Sequence, residues 1–312
     1  MSCSVTVMVA GLKWCAFELS GRSGLTRRLA ASRWRQRRLL ILCYHGVSLA
    51  DEHEWNPELY ISPRTLEKRL DALARMGCTV LPLDEAVRRL YDGTLPDRAV
   101  ALTFDDGFYD FKARALPLLQ ARGLPATVYV TTQRAHRNPT VAHLLTSYML
   151  WKLGRVKGAV GHEAMERLSV ESDGMLHARL LSVMTPEELA GISAAGVAIE
   201  MHTHRHVAPI DPDEFMDDVR TNREAIAGMT GRQPRHLCYP SGIYRPGYLS
   251  RLAADAVETA TTCDPGLASA ASHPLMLPRF VDSEACHQLT FEAWVSGVAT
   301  WLPRRTRTAN AA

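Results

Sequence analysis

Two stretches of this sequence place metal-competent and acid–base side chains at the ends of apolar runs. In Val100-Ala101-Leu102-Thr103-Phe104-Asp105-Asp106-Gly107, two adjacent carboxylates close an apolar run and a glycine permits a turn. In Val197-Ala198-Ile199-Glu200-Met201-His202-Thr203-His204-Arg205-His206, two histidines four residues apart follow another such run, with His204 between them. Imidazole and carboxylate are preferred ligands of zinc-like metals. One aspartate and two histidines make a facial three-ligand set that leaves positions open for water and substrate. The neighbouring carboxylate supplies a base. Together these groups suit metal-assisted hydrolysis, in which a metal acidifies water and polarises a carbonyl while a carboxylate takes the proton. A third run, His236-Leu237-Cys238-Tyr239-Pro240-Ser241-Gly242, enters a turn whose backbone N–H groups can stabilise an oxyanion.

Such groups need a scaffold that brings strand ends together. Candidate strands are Leu39–His45, Cys78–Leu83, Ala99–Phe104, Ala126–Thr131, Val197–His202, His236–Tyr239, Thr259–Cys263 and Leu275–Val281. Most are continuous apolar runs, as expected of strands covered on both faces. Helices with readable ends lie between them. Ser62-Pro63 starts one with the stripe Leu66, Leu70, Leu73, which Gly77 closes. Thr185-Pro186-Glu187-Glu188 is a capping box, with Gly196 after the helix. Asp211-Pro212 opens another, ending near Gly231. The alternation predicts an α/β protein with a parallel barrel, in which catalytic groups collect at strand C-termini. Residues 136–184 break the rhythm. They carry helical patches at Val141–Leu153 and Glu163–Leu168 and read as a largely helical insertion.

The composition, 46% hydrophobic and 22% charged, is that of a globular protein and excludes collagen-like, disordered and coiled-coil classes. No run of about 18 apolar residues marks a membrane-spanning helix. The seven cysteines include no C-x-x-C pair, which favours buried thiols and a reducing compartment over a disulfide scaffold. The net charge of +3 is unevenly spread. Residues 1–38 set Lys13 and seven arginines against Glu18, a net +7, and the rest of the chain is net −4. Three segments follow: a basic leader, 1–38, a barrel domain, 39–303, and a tail, 304–312. The leader, through residues 13–38, suits peripheral contact with an anionic membrane. The expected location is cytoplasmic or at the inner membrane face. The acidic body, without a nucleic-acid motif, excludes nucleic acid as a partner.

The motifs Thr103-Phe104-Asp105-Asp106-Gly107, His202-Thr203-x-x-His206 and Tyr239-Pro240-x-Gly242 resemble those of the polysaccharide deacetylase (NodB-homology) family of carbohydrate esterases. The resemblance runs from about Leu40 to Val281. It implies a distorted (β/α) barrel of about seven strands and hydrolysis of N-acetyl groups on an amino-sugar polymer or glycan precursor. By the same resemblance, Asp105 is the base acting on a metal-bound water. Asp106, His202 and His206 hold a divalent metal, most often zinc. Thr203 braces the histidine loop through its hydroxyl. Tyr239, Pro240 and Ser241 shape the pocket, with an oxyanion N–H from around Ser241.

The sequence departs from the family pattern in two places. Many members carry an arginine in the third box, paired with the catalytic aspartate, where this chain has Cys238; Arg279, in Leu277-Pro278-Arg279-Phe280, is a candidate substitute. A late Leu-x-His segment for the general acid is missing. His45, in Leu42-Cys43-Tyr44-His45-Gly46-Val47, ends the first strand and resembles the early histidine of a subgroup linked to exopolysaccharide and capsule formation. Tyr109, Tyr244 and Tyr248 are candidate sugar-facing aromatics. Two other functions fit parts of the pattern: the same metal chemistry on a non-glycan amide or ester, and a catalytically silent carbohydrate-binding homologue.

Overall fold

A computed structural model describes residues 25–133, 147–149, 151–152, 179–206 and 211–301. Ten strands are found among them: β1 Leu40–Tyr44, β2 Gly46–Val47, β3 Tyr60–Ile61, β4 Thr79–Val80, β5 Ala99–Phe104, β6 Thr127–Val130, β7 Ala198–Met201, β8 His236–Cys238, β9 Thr259–Thr261 and β10 Phe280–Val281. The main sheet runs β10-β1-β5-β6-β7-β8-β9, all pairs parallel, with β4 alongside the first residues of β5. Leu277 bridges Thr261 of β9, and three residues later β10 pairs with β1. The seven-strand path therefore closes on itself as a distorted barrel. All eight expected strands are present. The pair β2–β3 is additional, and the start of the last expected strand is instead a 3-10 turn, Pro274–Met276.

Strand pleating divides the core in two. Leu40, Leu42, Val100, Leu102, Val128, Val130, Leu237 and Ala260 face outward into the larger cluster, against the surrounding helices. Leu39, Ile41, Ala99, Ala101, Tyr129, Cys238 and Leu277 face inward. This inner cluster is completed by Leu83, Ala86, Val87 and Leu90 on the buried face of the helix Leu83–Tyr91. The helix ends match the sequence signals. Ser62 accepts from the Thr65 N–H, Thr185 and Glu188 form a reciprocal capping box, and Asp211 accepts from the N–H groups of Asp213 and Glu214. Most of the expected insertion at 136–184 lies outside the described residues, as does Glu163–Leu168. Within it, residues 147–149 and 151–152 are helical, and Tyr148 packs edge-on to Trp55.

The expected leader is corrected at its C-terminal end. Arg35 is not a solvated surface charge but is fully buried. Its guanidinium donates to the carbonyls of Val295 at 2.8 Å, Arg38 at 2.7 Å and Ala99 at 3.4 Å. Arg38 stacks on Trp34 and donates to the Trp34 carbonyl. Arg35 is thus engaged by the body of the protein and is not free for an anionic surface, whereas Arg38 is half-buried and held within the leader by Trp34. Residues 13–24 lie outside the described set. Among the described residues no helix is long and apolar enough to cross a membrane.

Replacing Arg35 by methionine removes three donors from the carbonyls of Val295, Arg38 and Ala99. The cost should be ~1–3 kcal/mol, the range for leaving buried polar groups unmatched. The urea midpoint of Arg35→Met should fall accordingly; an unchanged midpoint contradicts the structural role.

Candidate active site

The two adjacent carboxylates sit at the C-terminal end of β5 with different partners. The Asp105 N–H extends the ladder to β1 by donating to the Tyr44 carbonyl at 2.9 Å. The chain then turns sharply, with φ of 71° at Asp106 and 75° at Gly107. A Cβ on Gly107 would lie 2.9 Å from Cγ1 of Val130, so the turn requires glycine for both conformation and space.

Asp105 pairs with Arg279. The fully buried guanidinium donates from both terminal nitrogens to the two carboxylate oxygens, each at 2.8 Å. It also donates to the Thr262 carbonyl at 2.9 Å, which fixes its plane. The Cys43 and Cys238 thiols lie 3.4 Å and 3.3 Å from Asp105 Oδ2. Burial alone would raise the Asp105 pKa. The charge and hydrogen bonds of Arg279, with smaller help from His202 and His45, override that and hold the carboxyl well below its usual range. His45, at the end of β1, places Nε2 3.9 Å from the same Oδ2, and its buried Nδ1 has no hydrogen-bond partner. Gly46, which follows, must be glycine because a Cβ there would strike the Tyr60 ring.

Asp106 faces imidazoles instead. Its Oδ1 is 3.3 Å from His202 Nε2 and 3.2 Å from His206 Nε2. The Nδ1 of His202 lies 2.8 Å from the Cys238 carbonyl, which can only accept, so Nδ1 carries the proton. In the neutral ring Nε2 is then a bare lone pair aimed at a carboxylate oxygen. Asp106 Oδ1 is itself buried and makes no hydrogen bond. Lone pairs converging in this way fit a bound cation, with the Cys238 carbonyl orienting the ligand ring. The set suits zinc or a similar divalent ion.

The histidine loop is braced from the helix Pro212–Thr230. Asn222 accepts from the His202 N–H at 3.0 Å and donates to the Val130 carbonyl at 3.1 Å and Thr132 Oγ1 at 2.9 Å. Four residues earlier, Asp218 accepts from the backbone and side chain of Arg205. This corrects the bracing role expected of Thr203, whose buried hydroxyl has no hydrogen-bond partner. Asn222 and Asp218 interrupt an otherwise apolar buried stripe, Phe215, Met216, Val219 and Ile226. That interruption is the sequence signal that could have found them.

The third box is mainly structural at Tyr239. Its hydroxyl donates to the Leu275 carbonyl at 3.0 Å, and its ring belongs to the outer core beside Phe215. Pro240 starts a 3-10 turn, in which Ser241 and Gly242 have φ of 56° and 71°. A Cβ on Gly242 would lie 2.8 Å from the Cys263 backbone N. Among the expected sugar-facing aromatics, Tyr248 is instead fully buried, stacked on Phe215 at 4.1 Å. Tyr244 packs on Tyr239, and Tyr109 carries the Arg179 guanidinium on its ring.

The family model for polysaccharide deacetylase matches residues 92–259, more than half of the chain. The chain belongs to the polysaccharide deacetylase family. Members of this family are hydrolases that cleave N-acetyl amide bonds. The protein YxkH of Bacillus subtilis strain 168 is 22% identical over 235 residues, covering 74% of this chain and 67% of that one. The poly-beta-1,6-N-acetyl-D-glucosamine N-deacetylase of Escherichia coli K12 is 32% identical over 102 residues, 31% of this chain and 14% of that enzyme. In fold, the deacetylase PplD of Streptococcus pyogenes superposes with a TM-score of 0.60 at 22% identity, over 80% of this chain and 93% of that one. The matched span holds Asp105, Asp106, His202, His206 and the third box. His45 and Arg279 fall on either side of it.

Removing one partner of a buried ion pair leaves the other charge unpaired, at about 3–5 kcal/mol. Arg279→Met should therefore lower unfolding stability by that amount in urea titration. Asn222→Ala should weaken metal binding about 10–100-fold, the range for lost ligand support. Equal affinity by equilibrium dialysis would rule out the bracing role of Asn222.

Proposed function

We propose that the protein deacetylates an amino-sugar polymer or glycan precursor of the exopolysaccharide or cell-envelope type. One observation carries this reading: adjacent carboxylates are divided between Arg279 and a pair of imidazoles at one end of the barrel. That division provides a base and a metal-ligand set at one end of the barrel.

Asp106, His202 and His206 are the residues that would hold a divalent cation, zinc by its ligand chemistry. When bound, such a cation supplies Lewis-acid polarisation of the acetyl carbonyl and acidifies water. The protein's own groups do the rest. Asp105 accepts the proton of the attacking water, with Arg279 keeping it ionised and fixed in its plane. His45, beside Oδ2 of Asp105, donates a proton to the leaving amine nitrogen. A backbone N–H near Ser241 donates to the oxyanion as the carbonyl becomes tetrahedral. Acetate and a free amine leave. The Escherichia coli relative, named for its action on poly-beta-1,6-N-acetyl-D-glucosamine, makes N-acetylglucosamine polymers the first substrates to test.

Asp105→Asn should reduce acetate release from such a polymer about 10²–10⁴-fold, the usual worth of a general base. Bound metal should remain at the stoichiometry of the unmodified protein. Near-native turnover by this variant would remove Asp105 from the mechanism. His202→Ala should lose metal and activity together, and chelator should abolish release by the unmodified protein. Chelator-insensitive release would refute the metal-dependent reading.

A further inference from the structure

The underside of the barrel holds a second ligand cluster, at the end opposite the active site. His236 is the first residue of β8, two positions before Cys238 on the same face. At the rise of a parallel strand it lies ~7 Å toward the N-terminal end of the barrel. Its side chain is 3% exposed. Nδ1 is 2.8 Å from the Thr259 hydroxyl, but the buried Nε2 has no hydrogen-bond partner. The nearest acidic oxygen, Asp84 Oδ1, is 3.6 Å away, beyond hydrogen-bond reach. Nε2 of His236 and carboxylate oxygens of Asp84 and Glu258 all lie within 4.8 Å of one another. They line one wall of a cavity of about 400 Å³.

A buried imidazole nitrogen beside two carboxylates makes no hydrogen bond in either neutral tautomer, its nearest charged neighbour being Asp84 at 3.6 Å. As an acceptor it faces other acceptors; as a donor it has no oxygen close enough. A cation shared by the three atoms satisfies all of them. The mixed nitrogen and oxygen set favours zinc, cobalt or nickel over calcium or magnesium, which prefer oxygen alone. The rigid member is the buried histidine. Asp84 and Glu258 have side chains about half exposed, free to close to the ~2.0–2.2 Å that such an ion needs.

We propose that His236, Asp84 and Glu258 form a second divalent transition-metal site, separate from the active site. Asp84 lies in the first turn of the helix that fills the barrel floor, and Glu258 immediately precedes β9. The ion therefore clamps that helix to two strands. Arg235 is its built-in competitor. The guanidinium lies 3.1 Å from Asp84 Oδ1 and donates to Glu258 Oε1 at 2.9 Å, so it occupies the same two carboxylates that the ion needs. Arg235 holds the carboxylates together without the ion and must yield when it binds.

Metal content, rather than deacetylation, tests the site, so its failure is distinguishable from failure of the proposed function. A full-length His202→Ala/His206→Ala variant lacks the active-site ligands. Dialysed against Zn²⁺, it should retain one equivalent, and saturating Zn²⁺ should raise its Tm. Adding Asp84→Asn and Glu258→Gln, both surface changes, should abolish that equivalent and the Tm increase. Arg235→Gln should tighten Zn²⁺ binding at least several-fold. In otherwise unmodified protein, Asp84→Asn should leave acetate release intact while one equivalent is lost. Retention of no zinc by the His202→Ala/His206→Ala variant overturns the proposal. So does an equivalent that survives loss of both carboxylates, or binding weakened by Arg235→Gln.

Discussion

Two carboxylates on adjacent residues cannot both stay ionised inside a protein unless each has its own positive partner. That constraint organises this molecule. Asp105 is answered by a fully buried guanidinium in bidentate geometry, and Asp106 by two imidazole nitrogens, of which that of His202 presents a lone pair that calls for a cation. Left-handed backbone at Asp106 and Gly107 lets neighbouring side chains serve one end of the barrel, against the strict alternation of a strand. The division of partners also divides the work. A carboxylate paired with arginine keeps a fixed orientation and a depressed pKa, as a base must if burial is not to neutralise it. A carboxylate facing imidazoles is built to ligate.

The pleat of the barrel makes this possible without disturbing its stability. Outward residues of every main strand join the large core beneath the helices, and those contacts hold the fold. Inward residues are released from that duty at the C-terminal end, where Cys43, Thr103, Asp105, His202, Cys238 and Arg279 replace aliphatic side chains. Deeper in, small residues such as Ala99 and Ala101 leave room for the helix Leu83–Tyr91 to fill the floor. A polar layer above an apolar plug keeps water away from the underside of the ion pair, which strengthens the pairing of Asp105 with Arg279.

What was legible in the sequence follows the same division. Strands buried on both faces read as apolar runs, so all the main strands could be seen, and the helix caps at Ser62, Thr185 and Asp211 fell where their chemistry required. The pair β2–β3 could not be seen, because two residues carry no period. The proposed metal ligands and the proposed base were visible because their types and local spacing are unusual. Bracing groups were harder. Thr203 sits in the right motif, yet its hydroxyl bonds to nothing, while the load falls on Asn222, nineteen residues further on, in the helix Pro212–Thr230. Arg35 shows the converse error: within a run of arginines its charge looked like a surface property, and only the packing reveals three carbonyl partners. Tyr248 had no local mark to distinguish a core ring from a sugar-facing one.

Arg279 and His45 mark the limit of local reading, and the topology explains why. They lie outside the span that matches the family, at opposite ends of the described barrel, yet both reach the same carboxylate. β10 pairs with β1, Leu42 opposite Phe280, so the residue before Phe280 and the residue after Tyr44 meet over Asp105 only when this last seam forms. The residues that would ligate a metal follow β5 and β7 in the middle of the chain; the partners of Asp105 are delivered by the two strands that close the ring. A partly folded barrel with an open seam would hold Asp105 buried without its guanidinium, an unfavourable state that disfavours incomplete closure. Closure of the barrel and assembly of the Asp105–Arg279 pair are therefore one event, and the cost of a buried carboxylate becomes part of what selects the closed fold.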